Sequence, residues 1–126
     1  MEKALRYELN KIPELKDKIF PTNAPEGISP PYLVYMTRKR PLKDLDGHTK
    51  DREAHVMLNI LCNSYGQMKE ITKKVEDLVL TFPLRTIGKE NLYVQDITLD
   101  DITETYENEL KLQRGIIPFK ICYKEE

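Results

Sequence analysis

"REAHVMLNILCNSYGQMKEITKKVEDLVLTF", residues 52–82, decides the fold, because two periodicities meet inside it. Ala54, Val56, Leu58, Ile60 and Cys62 alternate with His55, Met57, Asn59 and Leu61, which is the period of a strand with one face turned to a core. Ser64 and Gln67 then stand at capping-box spacing. Behind them Met68, Ile71, Val75, Leu78, Val79 and Phe82 recur at helical spacing, so a helix over residues 65–82 follows the strand directly. Its other face, with Lys69, Lys73, Lys74 and Glu76, reads as solvated surface.

Upstream, residues 32–36 (YLVYM) form a short apolar run between prolines and charges and predict another strand. The stretch joining the two strands contains RKRPLKDLDGHT, residues 38–49. It is too long for a tight turn, and long connections of this kind are where function concentrates. Residues 20–31 hold Pro21, Pro25, Gly27, Pro30 and Pro31, which predicts an extended tether across a surface without regular hydrogen bonding. Before it, Leu5, Leu9 and Ile12 mark one stripe of a first helix ending near Ile12, since Pro13 disfavours helical geometry in the residue before it. Pro13-Glu14-Leu15 can start a short further turn.

Downstream, residues 92–99 alternate with Tyr93, Ile97 and Leu99 on one parity and predict a third strand. Asp100, Asp101, Glu104, Glu107 and Glu109 read as a turn or strand end. In the last strand Leu110 and Leu112 are even, whereas Ile117, Phe119, Ile121 and Tyr123 are odd. A β-bulge or bend at Arg114-Gly115 is the expected cause, because glycine tolerates one. The order α-β-β-α-β-β predicts one α+β domain over residues 1–126, with two helices packed on an antiparallel sheet of about four strands.

A 126-residue chain with 20 basic and 21 acidic residues carries a net charge of −1, so no global field draws it to nucleic acid or to an anionic membrane. No apolar run approaches the roughly 20 residues of a membrane span, and MEKALRYELNK has no apolar leader core, so a cytoplasmic protein is expected. Cys62 and Cys122 sit in apolar alternating stretches and read as buried thiols, with a Cys62–Cys122 bridge as the alternative.

Asp44, Asp46 and His48 offer oxygen and imidazole ligands at alternate positions, yet the further acidic ligands of a calcium loop are missing. No nucleophile with an adjacent base, no phosphate-cradling glycine loop and no paired His-Glu helix motif occurs, so a non-enzyme without cofactor or bound metal is expected. Arg38, Lys39, Arg40 and Lys43 form the one dense basic patch, and a small nucleic-acid-binding module is the alternative function they offer. Asp44 and Asp46 offset that charge. Together with Leu42 and Leu45 they suit a protein neighbour better, where apolar anchors bury and charges fix register. The plain alternative is a turn that only links two strands.

Three segments, IFPTNAPEGISPPYLVY (residues 19–35), PLKDLDG (residues 41–47) and RGIIPFKICY (residues 114–123), with the strand and Ser-Tyr-capped helix between them, resemble the small tail-completion proteins of long-tailed bacteriophages and prophages. The resemblance implies a non-catalytic virion component, made in the host cytoplasm, that caps the tail tube, joins tail to head connector, or both. It also implies a fold similar to tail terminators that act as hexameric rings. The expected partners are the tail tube protein, the head connector proteins and further copies of the chain, which can remain monomeric until the tail is present. DNA is met only in the lumen, and no membrane is involved. The expected assembly residues are Arg38, Arg40, Leu42, Lys43, Asp44, Leu45 and Asp46, with the acidic turn at residues 100–109 as a second candidate patch.

Overall fold

The computed structural model describes residues 1–42 and 51–124. These form two α-helices, α1 (Glu2–Leu9) and α2 (Tyr65–Val79), and strands β1 (Ile19–Pro21), β2 (Tyr32–Leu42), β3 (Asp51–Cys62), β4 (Arg85–Ile87), β5 (Leu92–Leu99), β6 (Thr103–Glu107) and β7 (Leu112–Lys124). The strands make one seven-stranded sheet in the order β1-β2-β3-β7-β5-β4, with β6 also paired to β7. The α+β class and the two helices agree with the sequence reading. The strand number does not, and the sheet is mixed, because β1 runs parallel to β2.

Both helices cover the same face. Leu5 and Leu9 of α1 and Met68, Ile71, Val75 and Val79 of α2 pack on Leu33, Tyr35, Leu58, Ile60, Ile117, Phe119, Ile121 and Tyr123. Each fully buried aliphatic or aromatic side chain there contributes roughly 1.5–3 kcal/mol by leaving water. Ser64 caps α2 as its spacing predicts: its hydroxyl accepts from the Gln67 amide at 3.2 Å. Residues 80–82 leave the helix in a turn, although Phe82 stays buried.

The expected bulge at Arg114-Gly115 is absent. Gln113, Arg114, Gly115 and Ile116 pair in unbroken register with Cys62, Leu61, Ile60 and Asn59 of β3. The parity change has another cause: the sheet buries residues on both faces. Leu112 belongs to a second, smaller cluster with Tyr32, Val34 and Leu61 on the side away from the helices. The Pro-rich segment covers that cluster, with Phe20, Ala24 and Ile28 packed on it and Phe20 meeting Tyr32 edge to face at 6.5 Å. So the tether does cross a surface, but its start is not free of ladder bonds, since Ile19–Pro21 pair with Leu33, Val34 and Tyr35. The Pro30-Pro31 peptide bond is cis. The irregularity falls in β5 instead, between Val94 and Asp96, and moves the core face from even to odd positions.

β7 is the spine of the sheet. One edge pairs with β3 along its length; the other pairs with β5 from Phe119 onward and with β6 up to Ile116. Pro118 lies between. The Asp100 amide donates to its carbonyl at 2.9 Å, so the side of Pro118 that lacks an N–H faces the gap between β5 and β6, and no ladder bond is forfeited there.

Candidate assembly surface

The strand around Tyr32 is longer than its apolar run suggests. It continues through Arg38, Lys39 and Arg40 to Leu42, opposite His55, Ala54, Glu53 and Asp51 of β3. Residues 38–42 are therefore part of a β-ribbon and not of a loop. The expected site residues Lys43, Asp44, Leu45 and Asp46 lie outside the described residues, as does His48 of the weighed metal set. For Arg40 and Leu42 the structure describes the strand position alone.

The pleat splits the basic patch. Alternate residues point to opposite faces, so Arg38 shares the outer face with Met36, while Lys39 turns toward the helices and meets the Glu2 carboxylate at 2.6 Å. Burial pushes the Glu2 carboxyl up, but the Lys39 hydrogen bond and charge outweigh it and hold the group below the usual carboxylate value.

Rows across the sheet define the outer face beyond the small apolar cluster. Met36, Met57 and Pro118 stand side by side on β2, β3 and β7, and the next row is Arg38, His55 and Lys120. Met36 is 43% and Met57 39% exposed, a large apolar presence for a solvent-facing sheet surface. Glu53 lies 3.5 Å from His55 and 3.8 Å from Lys120 and partly balances the basic row.

A second outer feature is the β6–β7 hairpin. Its turn, residues 108–111, presents Leu110 at 54% exposure between Glu109 and Lys111, and Glu107 at the end of β6 bonds Arg114 at 2.7 Å. On the helix side Glu104 ties β6 to α2, within 3.3 Å of Lys69 and accepting from the Tyr65 hydroxyl at 3.1 Å. Of the α2 charges read as solvated, Lys73 and Lys74 are exposed but paired, Lys73 with Asp77 and Lys74 with Glu14 and Glu70, and Glu76 is half-buried.

Two groups with chemical potential prove structural. Glu8, one of four charged residues in the first amphipathic helix, gave no sequence signal, yet its side chain is 3% exposed and clasps α1 to the turn after β4. It accepts from the Gly88 amide at 3.0 Å, from Lys11 at 3.2 Å and from Arg85 at 3.3 Å. Burial alone pushes its carboxyl up, but those three donors hold it below the usual value. Cys62 is buried, and burial raises its thiol to about 11, which leaves it protonated and unreactive near neutrality. Neither cysteine forms a disulfide, because Cys62 and Cys122 sit opposite Gln113 and Glu53, at opposite ends of the β3–β7 ladder.

Among the described residues no group of three His, Cys, Asp or Glu is placed to hold a metal ion, and no helix is long and apolar enough to cross a membrane.

No family model matches the chain, and no curated protein matches its sequence. Its fold is nevertheless found among solved structures. A chain from the virion of a native gene transfer agent particle superposes with a TM-score of 0.66 at 8% identity, over 97% of this chain and 86% of that one. A second solved chain is similar with a TM-score of 0.55 at 14% identity, over 99% of this chain and 89% of its own. At such identities the likeness is one of fold.

Proposed function

We propose that the protein is a non-catalytic structural component of a phage or phage-like virion, acting where the tail tube is completed and meets the head connector. The observation that carries this reading is the fold it shares, over 97% of its length, with a chain of a gene transfer agent virion. The resemblance of residues 19–35, 41–47 and 114–123 to tail-completion proteins supports the same assignment. In this role the chain works as a ring-forming subunit at the end of the tail tube. DNA passes its lumen without sequence-specific contact, in keeping with the net charge of −1.

The test is electron microscopy of lysates from the parent phage or induced prophage with this gene deleted, and again with the gene supplied in trans. Filled heads beside separate tails, joined on complementation, mark a head-joining role. Overlong tails mark termination. Normal joined particles without the gene overturn the proposal.

A further inference from the structure

We infer that the β6–β7 hairpin of one copy docks on the exposed methionine face of β2, β3 and β7 of the next copy. The inference rests on the ring-forming role proposed above and names the two surfaces that would close the ring.

The two surfaces are chemically complementary. The receiving face is a strip of Met36, Met57 and Pro118 bordered by the basic row Arg38, His55 and Lys120. The hairpin offers an exposed leucine, Leu110, between Glu109 and Lys111, while Glu107 is already held by Arg114. The Leu110 knob thus meets the apolar strip, with the Glu109 carboxylate beside it turned to the Arg38 and Lys120 cations at the strip's border. Methionine suits the receiving role because its unbranched thioether repacks around whatever shape it receives.

The surfaces are also placed so that one molecule cannot satisfy itself. Leu112, where the hairpin enters β7, and Lys120 are eight residues apart on one continuous strand, roughly 26 Å at the rise of an extended chain. Acidic and basic features therefore occupy different parts of a subunit whose net charge is only −1. Such a subunit attracts its own copies head to tail. A contact between two different patches is heterologous, and repetition of it yields a ring when the rotation closes. Opposite charge at the rims orients the encounter and disfavours the symmetric pairings, hairpin to hairpin and face to face.

The experiment uses the full chain with Cys122→Ser, which leaves only the buried Cys62. Two proteins are made in this background, one with Met57→Cys and one with Leu110→Cys; both positions are exposed, and circular dichroism melts verify folding. On mild oxidation the mixture should form the mixed disulfide more than about tenfold faster than either protein dimerises alone, because docking raises the effective concentration of the two thiols. Adding Arg38→Glu to the first or Glu109→Lys to the second should slow the reaction, and combining the two reversals should restore it. Equal rates for mixed and like pairs, or no response to the reversals, overturn the inference. Complementation separates it from the role it rests on. If the gene restores particles but the mixed disulfide has no advantage, the docking mode is wrong and the role stands. If the mixed disulfide is favoured but deletion leaves particles normal, the role is wrong and the contact stands.

Discussion

Gly115 of β7 lies directly beneath Thr72 of α2, so close that a side-chain carbon built on the glycine would strike the Thr72 hydroxyl oxygen and sit 3.2 Å from the Met68 sulfur. The glycine therefore sets how near the long helix comes to the spine of the sheet. Its role is close approach and not the local bend expected of it.

Gly115→Ala should accordingly destabilise the protein by about 1–3 kcal/mol, the usual cost of overpacking a core. Thr72→Ala removes the obstructing oxygen. Urea melts of the two single variants and the double variant should give a double-mutant loss smaller than the sum of the single losses, and strict additivity would show that the two residues do not contend for the same space.

Glu8 makes a prediction about acid. Its folded value is lowered, so its contribution is present above the ordinary value of 4.5 and is lost as pH falls through the lowered folded value. Glu8→Gln should cost about 1.5–2 kcal/mol at neutral pH, the lower part of the range for hydrogen bonds to a charged group, because Lys11 and Arg85 keep 55% and 38% of their side-chain exposure and are screened. Thermal melts from pH 7 to pH 3 should show a shallower acid limb in the variant than in the native protein. Identical limbs would remove Glu8 from the account.

The cysteines should separate by reactivity. Cys62 is buried with its thiol raised to about 11, whereas Cys122 is half-buried on the outer face. Iodoacetamide followed by peptide mass spectrometry should modify Cys122 in the folded protein and Cys62 only once denaturant is added. Equal rates without denaturant would contradict the packing of β3.

Prolines in β7 should be tolerated at one place. Pro118→Ala should change stability by less than about 0.5 kcal/mol, because the missing N–H faces the gap between β5 and β6. Lys120→Pro lies two residues on, where β7 pairs with Thr98 of β5, and should cost about 3 kcal/mol. Comparable melting temperatures for the two variants would refute the partner switch.

Much of the fold is legible in residues 52–82, where an apolar residue stands at every second position from Ala54 to Cys62 and Ser64 announces the helix. Three elements leave no such trace. β1, β4 and β6 have three, three and five residues, too few for a period to repeat, and β1 pairs with a strand beyond the proline segment. The second half of β2 is hidden for another reason: Thr37, Arg38 and Lys39 show no apolar alternation, since their strand is held by pairing with β3 and not by core burial. At Leu112 and Leu110 the alternation misleads because one leucine enters the smaller cluster and the other is exposed. Of the expected assembly residues, Arg38 is legible as an exposed cation. Its neighbours Met36, Met57 and Lys120 are not, because only the sheet register gathers three distant segments into adjoining rows.

The change of partner at Pro118 also divides the molecule dynamically. Among the described residues β6 pairs with β7 alone, so the hairpin can exchange its amides with solvent by peeling from Leu112–Ile116 while β5 stays paired to the other half of β7. The element that offers Leu110 to a neighbour is thus one that opens at small local cost, and docking would be recorded first as slowed hydrogen exchange at Thr105 and Glu107, whose amides face β7.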